Sequence, residues 1–171
     1  GILPLINEAK NTIDVSIFFL THNKISKALV AAKDRGVKVR VILDATAATN
    51  GYSKHNYLRE NGIDVKVESW GGKMHMKAAV IDKKHIIVGS MNWTLAGEKK
   101  NDENTILINN SPELGVHLFL FFEKMWNSIP DSYLQKDPFP ESIESGTSCY
   151  DLIDNDFDDI IDSNEKECLK T

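Results

Sequence analysis

Residues 75–94 read HMKAAVIDKKHIIVGSMNWT, and this stretch decides the fold of the chain. Apolar runs at 76–81 and 85–88, separated by a polar turn, predict two neighbouring β-strands. Histidine, lysine, serine and asparagine side chains stand directly beside these strands. The stretch therefore predicts strands that carry a polar cluster.

The four side chains of this cluster have the spacing of residues that share one face. Positions two apart point the same way in a strand, so His75 and Lys77 project together. Ser90 and Asn92 have the same spacing on the nearby segment. An imidazole, an ammonium, a hydroxyl and an amide around one point suit a phosphodiester. Polar residues on an exposed edge strand are the alternative, and they explain His75 alone better than the whole set.

Outside this stretch, helical and strand patterns alternate at short spacing. This alternation predicts an α/β fold in which a mixed β-sheet is layered between helices. The predicted strands are 13–20, 37–43, 63–67, 76–81, 85–88 and 105–108. The predicted helices are 4–11, 23–35, 51–60 and a long apolar helix that begins at Ser111-Pro112 and continues through Trp126.

The charge of the 171 residues is divided unevenly along the chain. Residues 1–130 carry 17 Lys and Arg against 13 Asp and Glu, whereas residues 131–171 carry 3 against 12. A mildly basic body can meet an anionic substrate although the whole chain is acidic. The apolar runs are too short to span a bilayer, and the composition is that of a globular protein.

Three regions follow from composition. Residues 1–130 form the catalytic body, residues 131–148 are a proline-containing linker, and residues 149–171 are a small acidic tail. Both cysteines, Cys149 and Cys168, lie in the tail.

The pattern HxK(x)4D(x)6GSxN of residues 75–92 resembles the signature of the phospholipase D superfamily. Glu103-Asn104 downstream and residues 35–41 upstream are similar to segments of the same family, and the resemblance covers roughly residues 4–130. The most similar members have a single motif: bacterial secreted nucleases and Zucchini-type proteins, which are cardiolipin hydrolase-like. The resemblance implies a phospholipase D-like domain.

The resemblance also implies a role for each motif residue. His75 attacks phosphorus and forms a covalent phosphohistidine, which divides one difficult displacement into two easier ones. Lys77 and Asn92 bind the non-bridging oxygens and stabilise the transition-state charge, assisted by Ser90. A second histidine protonates the leaving oxygen and then activates water. No step needs a metal or another cofactor.

Two further residues complete the catalytic set implied by the family. Glu103 is expected to accept a hydrogen bond from an imidazole N–H and so fix its tautomer. Asp82 is expected to shape the site through hydrogen bonds without touching phosphate. Because one motif supplies one histidine, the site is completed either by a homodimer that shares it or by an N-terminal half with a second motif.

The function predicted first is a metal-independent endonuclease that acts on nucleic acid. Phospholipase D or cardiolipin hydrolase activity on phospholipid head groups is the alternative, because the motif recognises the phosphodiester and not what it links. A non-catalytic half of a two-motif protein is the third possibility, and the complete motif argues against it.

The tail contains a twelve-residue acidic stretch, 154–165, that is similar to an EF-hand-like calcium-binding repeat. Asp159 stands where such loops carry glycine, and a disordered acidic tail is the alternative reading. The expected Ca²⁺ ligands are Asp154, Asp156, Asp158, the carbonyl of Ile160, Asp162 and Glu165.

Cys149 and Cys168 bracket this loop, so a disulfide between them is favoured over two free thiols. A bridge indicates an oxidising compartment. The tail therefore predicts a secreted, periplasmic or extracellular protein.

Overall fold

The computed structural model describes residues 1–68 and 73–138, together with 149, 150, 152, 154, 160, 161, 168 and 169. Its strands are β1 (Thr12–Ile17), β2 (Lys38–Asp44), β3 (Asp64–Glu68), β4 (Lys77–Ile81), β5 (His85–Gly89) and β6 (Thr105–Ile108). Its helices are α1 (Ile2–Glu8), α2 (Asn23–Asp34), α3 (Ala45–Ala48), α4 (His55–Glu60), α5 (Leu95–Lys99) and α6 (Pro112–Ser128), followed by a 3-10 helix at Asp131–Leu134.

The six strands form one mixed sheet in the order β3-β2-β1-β4-β5-β6. The β1–β2 and β2–β3 pairs are parallel, whereas β1–β4, β4–β5 and β5–β6 are antiparallel. The predicted α/β fold with a mixed sheet between helices is confirmed.

Helices cover both faces of the sheet. Helices α1, α2 and α4 pack on one face and bury Ile6, Leu29 and Leu58 against alternating strand residues. Helix α6 and the 3-10 helix cover the other face, where Phe122 and Tyr133 pack on Ile42. No helix in the described part of the chain is long and apolar enough to cross a bilayer.

Strand β1 ends earlier than the sequence predicts. The apolar run 13–20 predicts one long strand, but the ladder stops at Ile17 and the chain then departs from it. The backbone N–H of Phe18 donates to the carbonyl of Met76, and that of Phe19 donates to the side chain of Asn92. The end of the run therefore supports the polar cluster instead of extending the sheet.

The beginning of the predicted linker 131–148 is attached to the body. The Lys66 ammonium is almost fully buried and bonds to two carbonyls at the end of α6 and to the carboxylate of Asp131. Asp137 accepts from His55 and Arg59 on α4. Residues 131–138 therefore pack with the body, and 139–148 lie outside the described residues.

Candidate active site

All the predicted catalytic residues except Asp82 lie at one edge of the sheet, where strands end and begin. Ile17 at the end of β1 is opposite Lys77 at the start of β4, and Ala78 is opposite Val88 near the end of β5. Segments that follow β1 and β5 therefore meet the segments that precede β4 and β6 at this edge. Residues that are far apart in sequence are close in space here, because antiparallel pairing brings the end of one strand beside the start of the next.

His75 lies two residues before β4 and is exposed. Its ring packs at 4.7 Å, centroid to centroid, from the ring of Phe18. Partial burial and the nearby Lys77 ammonium lower the pKa of His75, and the carboxylate of Asp44 opposes them. A neutral imidazole at neutral pH is the form that can attack phosphorus.

Lys77 is the first residue of β4 and is only 7% exposed. Its Nζ donates to the carbonyl of His75 at 2.7 Å and lies 5.1 Å from the centroid of the Phe18 ring. Burial lowers the pKa of Lys77, while the carboxylates of Glu103 and Asp44 act in the opposite direction. The ammonium is thus fixed beside the imidazole, where it can bind a phosphate oxygen.

Asn92 lies beyond β5 and is oriented by the chain after β1. Its Oδ1 accepts the N–H of Phe19 at 3.1 Å. Since the oxygen is the accepting atom, the NH₂ group is the part of this amide that can donate to a phosphate oxygen. This arrangement suits the oxygen-binding role expected for Asn92.

Ser90 and Glu103 form a pair at the same edge. The Ser90 hydroxyl donates to the Glu103 carboxylate and accepts the N–H of Asn104 at 3.1 Å. Hydrogen bonds from Ser90 and Asn101 lower the pKa of Glu103, and the Lys77 ammonium adds to the effect. Within one chain the carboxylate is therefore bound by Ser90 and Asn101, where the sequence led us to expect an imidazole. In this structure the Ser90 hydroxyl is a hydrogen-bond partner of Glu103, whereas the resemblance implies that it assists in binding phosphate oxygens.

The structure separates Asp82 from the other predicted catalytic residues. Asp82 follows the last residue of β4, five positions beyond Lys77, which amounts to about 17 Å along a strand. Its carboxylate accepts the backbone N–H groups of Lys10, Asn11 and Thr12 at 2.7–2.9 Å. Asp82 therefore fixes the turn before β1 through hydrogen bonds, at a distance from the other predicted catalytic residues.

Asp44, which the sequence analysis missed, reaches the site from the end of β2. It is 2% exposed, and one oxygen accepts the N–H groups of Thr46 and Ala47 at the start of α3. The other oxygen accepts the N–H of Met74, the neighbour of His75, at 2.9 Å. An aspartate at a strand end followed by a helix start is a recognisable capping signal, but the contact with Met74 spans thirty residues.

A cavity of about 290 Å³ opens beside His75. Lys73 and Glu68 contribute polar walls, while Met76 of the catalytic segment and Met125 of α6 contribute apolar ones. A larger cavity of about 510 Å³, lined by Ile25 and Leu107 among others, contains none of the predicted catalytic residues.

The tail is described at few positions. A disulfide joins Cys149 and Cys168, as the sequence predicts. No group of three or more His, Cys, Asp or Glu side chains able to hold a metal occurs among the residues described. Asp154 and Ile160 are described, but the remaining predicted calcium ligands, Asp156, Asp158, Asp162 and Glu165, lie outside that set, so the calcium loop stays a prediction.

Residues 2–126 match the family model described as "Cardiolipin synthase, PLD-like domain". The protein named phospholipase D of Rickettsia prowazekii is 38% identical over 109 residues, which are 64% of this chain and 53% of that protein. The mouse protein named mitochondrial cardiolipin hydrolase is 33% identical over 134 residues, 77% of this chain and 60% of that protein. The chain thus spans between half and two thirds of the length of these relatives.

Among solved structures, the phospholipase D family member Nuc from Salmonella typhimurium is similar with a TM-score of 0.73 and 33% identity. The match covers 81% of this chain and 88% of Nuc. NucT from Helicobacter pylori has a TM-score of 0.69 and 26% identity, with 74% and 86% covered. Together with the family match, these similarities confirm what the motif predicts: the chain belongs to the phospholipase D superfamily.

Proposed function

We propose that the chain is a phosphodiester hydrolase that acts through His75. The observation that carries this proposal is the grouping of an exposed imidazole with a lowered pKa, a buried ammonium and an oriented amide at one sheet edge. The relatives' names, phospholipase D and cardiolipin hydrolase, belong to the same reaction class.

In the proposed reaction a ring nitrogen of His75 attacks phosphorus and the bond from phosphorus to the leaving oxygen breaks. Lys77 and Asn92 hold the non-bridging oxygens as negative charge develops. A second histidine donates a proton to the leaving oxygen and then accepts one from the water that hydrolyses the phosphohistidine. Each step is assigned to a side chain, so the proposal predicts activity in the presence of EDTA.

The second histidine is proposed to be His75 of a second copy. The other histidines are engaged or distant: His22 caps α2 and pairs with Glu98, His55 bonds to Ser53 and Asp137, His85 contacts Asn109, and His117 is exposed on α6. A homodimer whose two motifs share one site therefore completes the chemistry.

Sedimentation of the active protein over a range of concentrations tests the dimer. We expect a dimer, with specific activity that falls when dilution produces monomers. A monomer that keeps full activity at every concentration excludes the shared site. A protein that is monomeric and inactive at every concentration indicates instead a separate N-terminal half with a second motif.

Nucleic acid is the substrate proposed first. Lys73 lines the cavity beside His75, so a cation borders the site, and the exposed Lys99 and Lys100 precede Glu103 closely in sequence. A strand of phosphodiesters can bind such a border through its backbone charge. The test is the cleavage of labelled single-stranded DNA in EDTA by the wild type and by His75→Ala. His117→Ala is the matched control, because it removes an exposed histidine on α6.

Phospholipid is the second candidate, and the apolar wall of the cavity favours it. Met76 and Met125 line the cavity beside His75 and also a neighbouring one that contains Leu118 and Phe121. Phe121 is about half exposed, so an apolar surface continues outward from the catalytic residue. Cardiolipin vesicles in the same assay distinguish the substrates: head-group hydrolysis without DNA cleavage assigns the protein to lipid.

We also propose that the protein works in an oxidising compartment, outside the cytoplasm. The Cys149–Cys168 disulfide supports this proposal, since such bonds persist mainly in secreted and periplasmic proteins. Thiol labelling of the protein isolated from its native cells tests it. Blocked thiols are expected, and two free thiols contradict the proposal.

A further inference from the structure

We propose that Asp44 is a positioning residue that fixes the backbone carrying His75 and keeps a negative charge beside the catalytic pair. The proposal rests on the role proposed for His75. It goes beyond the motif, because Asp44 lies thirty-one positions before His75, at the end of β2.

The Asp44 carboxylate connects the start of α3 to the segment that precedes β4. One oxygen caps α3 through the N–H groups of Thr46 and Ala47, and the other accepts the N–H of Met74. Asp44 is 2% exposed, so water does not compete readily for these bonds. A buried carboxylate that accepts three N–H groups holds its partners firmly, because losing any bond leaves a buried polar group unsatisfied.

The segment around His75 is held by hydrogen bonds on both sides of this residue, before it and after it. Lys73 Nζ donates to the Thr46 hydroxyl at 2.6 Å, which adds a second link between this segment and α3. Beyond His75, the carbonyl of Met76 accepts the N–H of Phe18 at 2.9 Å. The residue that must attack phosphorus is thus held between two anchored neighbours, and Asp44 provides the anchor at Met74.

The negative charge of Asp44 also acts on the pKa of His75 and on that of Lys77. Partial burial and Lys77 lower the pKa of His75, and Asp44 is the carboxylate that acts against them. Asp44 and Glu103 act in the same direction on the buried Lys77. The charged groups around the imidazole are therefore Lys77 on β4, Asp44 on β2 and, through Lys77, Glu103 before β6. Lys73 on its own segment and Glu68 of β3 line the cavity beside it.

The variant Asp44→Asn tests the proposal, with Asp82→Asn as its matched control. Both aspartates accept three backbone N–H groups, but Asp82 lies at the far end of β4. For each variant we would record kcat, KM, the pH profile of hydrolysis and the NMR titration of the His75 ring. Thermal unfolding establishes that each variant is folded.

For Asp44→Asn we expect kcat to fall about tenfold or more, with KM changed by less than about twofold, because misplacement of the attacking group affects mainly chemistry. Loss of the negative charge should also lower the pKa of His75 further. In a shared site both histidines are His75, so the whole pH profile moves to lower pH. Asp82→Asn should leave kcat, the profile and the titration unchanged.

An Asp44→Asn variant with wild-type kcat and an unmoved His75 titration overturns the proposal. If that variant does not fold, Asp44→Glu replaces it: the charge remains, but the longer side chain cannot keep both sets of bonds. Its kcat should fall while the titration stays in place, and a wild-type kcat overturns the positioning role. The NMR titration needs no turnover. If the wild type is inactive but Asp44→Asn still lowers the pKa of His75, the proposed function is contradicted and the Asp44 inference stands.

Discussion

At the scale of single residues, Glu103 has a distinct electrostatic task. Ser90 and Asn101 bind its carboxylate, and the charge acts on Lys77, whose pKa burial lowers. Removing this charge removes an interaction that keeps the ammonium protonated. In the proposed mechanism, Glu103 therefore supports phosphate binding by Lys77 in addition to any contact it makes with a second histidine.

The variant Glu103→Gln should consequently lose activity at high pH before the wild type does. The pKa of Lys77 falls further without the carboxylate. The part of the alkaline limb of kcat/KM that follows deprotonation of Lys77, in addition to that of the acid histidine, therefore moves to lower pH. The measurement is kcat/KM between neutral pH and the ordinary pKa of lysine. Asp102→Asn, which neutralises an exposed neighbouring carboxylate, should leave that limb in place. An identical limb in Glu103→Gln contradicts this role.

The sequence allowed part of the site to be predicted, for identifiable reasons. His75, Lys77 and Asn92 lie within one continuous motif whose strand spacing already places side chains together. Asp82 belongs to the same motif, but five strand positions carry it away from the site. Asp44 depends on a bond to Met74 formed only after β2 and β4 take their places in the sheet, and no local pattern contains that contact.

At the scale of elements, the antiparallel β4–β5 hairpin and the segment before β6 form the site. Gly89 ends β5, and a Cβ at this position would lie 2.2 Å from the carbonyl oxygen of Asn104. The close approach lets Ser90 reach Glu103 and Asn104. The glycine of the motif is thus explained by backbone contact between two segments.

We expect Gly89→Ala to separate these segments and reduce kcat/KM by about tenfold or more, because the carboxylate and hydroxyl lose their alignment. Gly51→Ala is the control, since a Cβ there meets nothing within 4 Å. Circular dichroism melting and kcat/KM measure the two effects. Equal activity of the two variants would show that the close approach has no catalytic consequence.

Asp82 stabilises the connection between α1 and β1 and lies away from the other motif residues. Burial tends to raise the pKa of Asp82, but hydrogen bonds from three backbone N–H groups outweigh it and the pKa is lowered. A carboxylate with a lowered pKa in the folded state stabilises that state above its unfolded pKa, about 3.9. This stabilisation is lost as pH falls toward the lower folded value.

Asp82→Asn should therefore reduce the free energy of unfolding by about 1–3 kcal/mol at neutral pH. The difference from the wild type should shrink below about pH 4, where the Asp82 carboxylate of the unfolded chain becomes protonated. Urea unfolding at neutral and acidic pH measures both values. A difference that is the same at the two pH values contradicts the assignment.

The order of elements was easier to predict than their limits. Strands with period-two apolar patterns and the long helix after Ser111-Pro112 have strong signals, and they occur in the structure. Helices α3 and α5 have four and five residues, too few for a periodic pattern, and they begin at the side-chain caps of Asp44 and Thr94. Strand β1 is shorter than its apolar run because Phe18 and Phe19 bond to catalytic segments.

At the scale of the whole molecule, a mildly basic body is joined to an acidic tail closed by a disulfide. Residues 131–138 bind the body through Lys66, Arg59 and His55. The body and the start of the linker are therefore connected by buried or half-buried charges. The tail's own function depends on whether its acidic loop binds a cation.

Equilibrium dialysis with Ca²⁺ tests that loop on the full chain. We expect the wild type to bind one Ca²⁺ more than the double variant Asp154→Ala, Asp156→Ala, because the loop spacing supplies oxygen ligands around one centre. DNA or lipid hydrolysis should be unaffected by the double substitution. Equal calcium binding by the two proteins means that the acidic loop is not a calcium site.

The central claim is that His75 becomes covalently bonded to phosphorus during turnover. The most direct measurement is rapid mixing of the wild type with substrate in EDTA, an alkaline quench that preserves phosphohistidine, and peptide mass spectrometry. We expect a phosphorus adduct on the peptide that contains His75, and neither adduct nor turnover in His75→Ala. Turnover by His75→Ala at the wild-type rate, or an adduct on another residue, would contradict it.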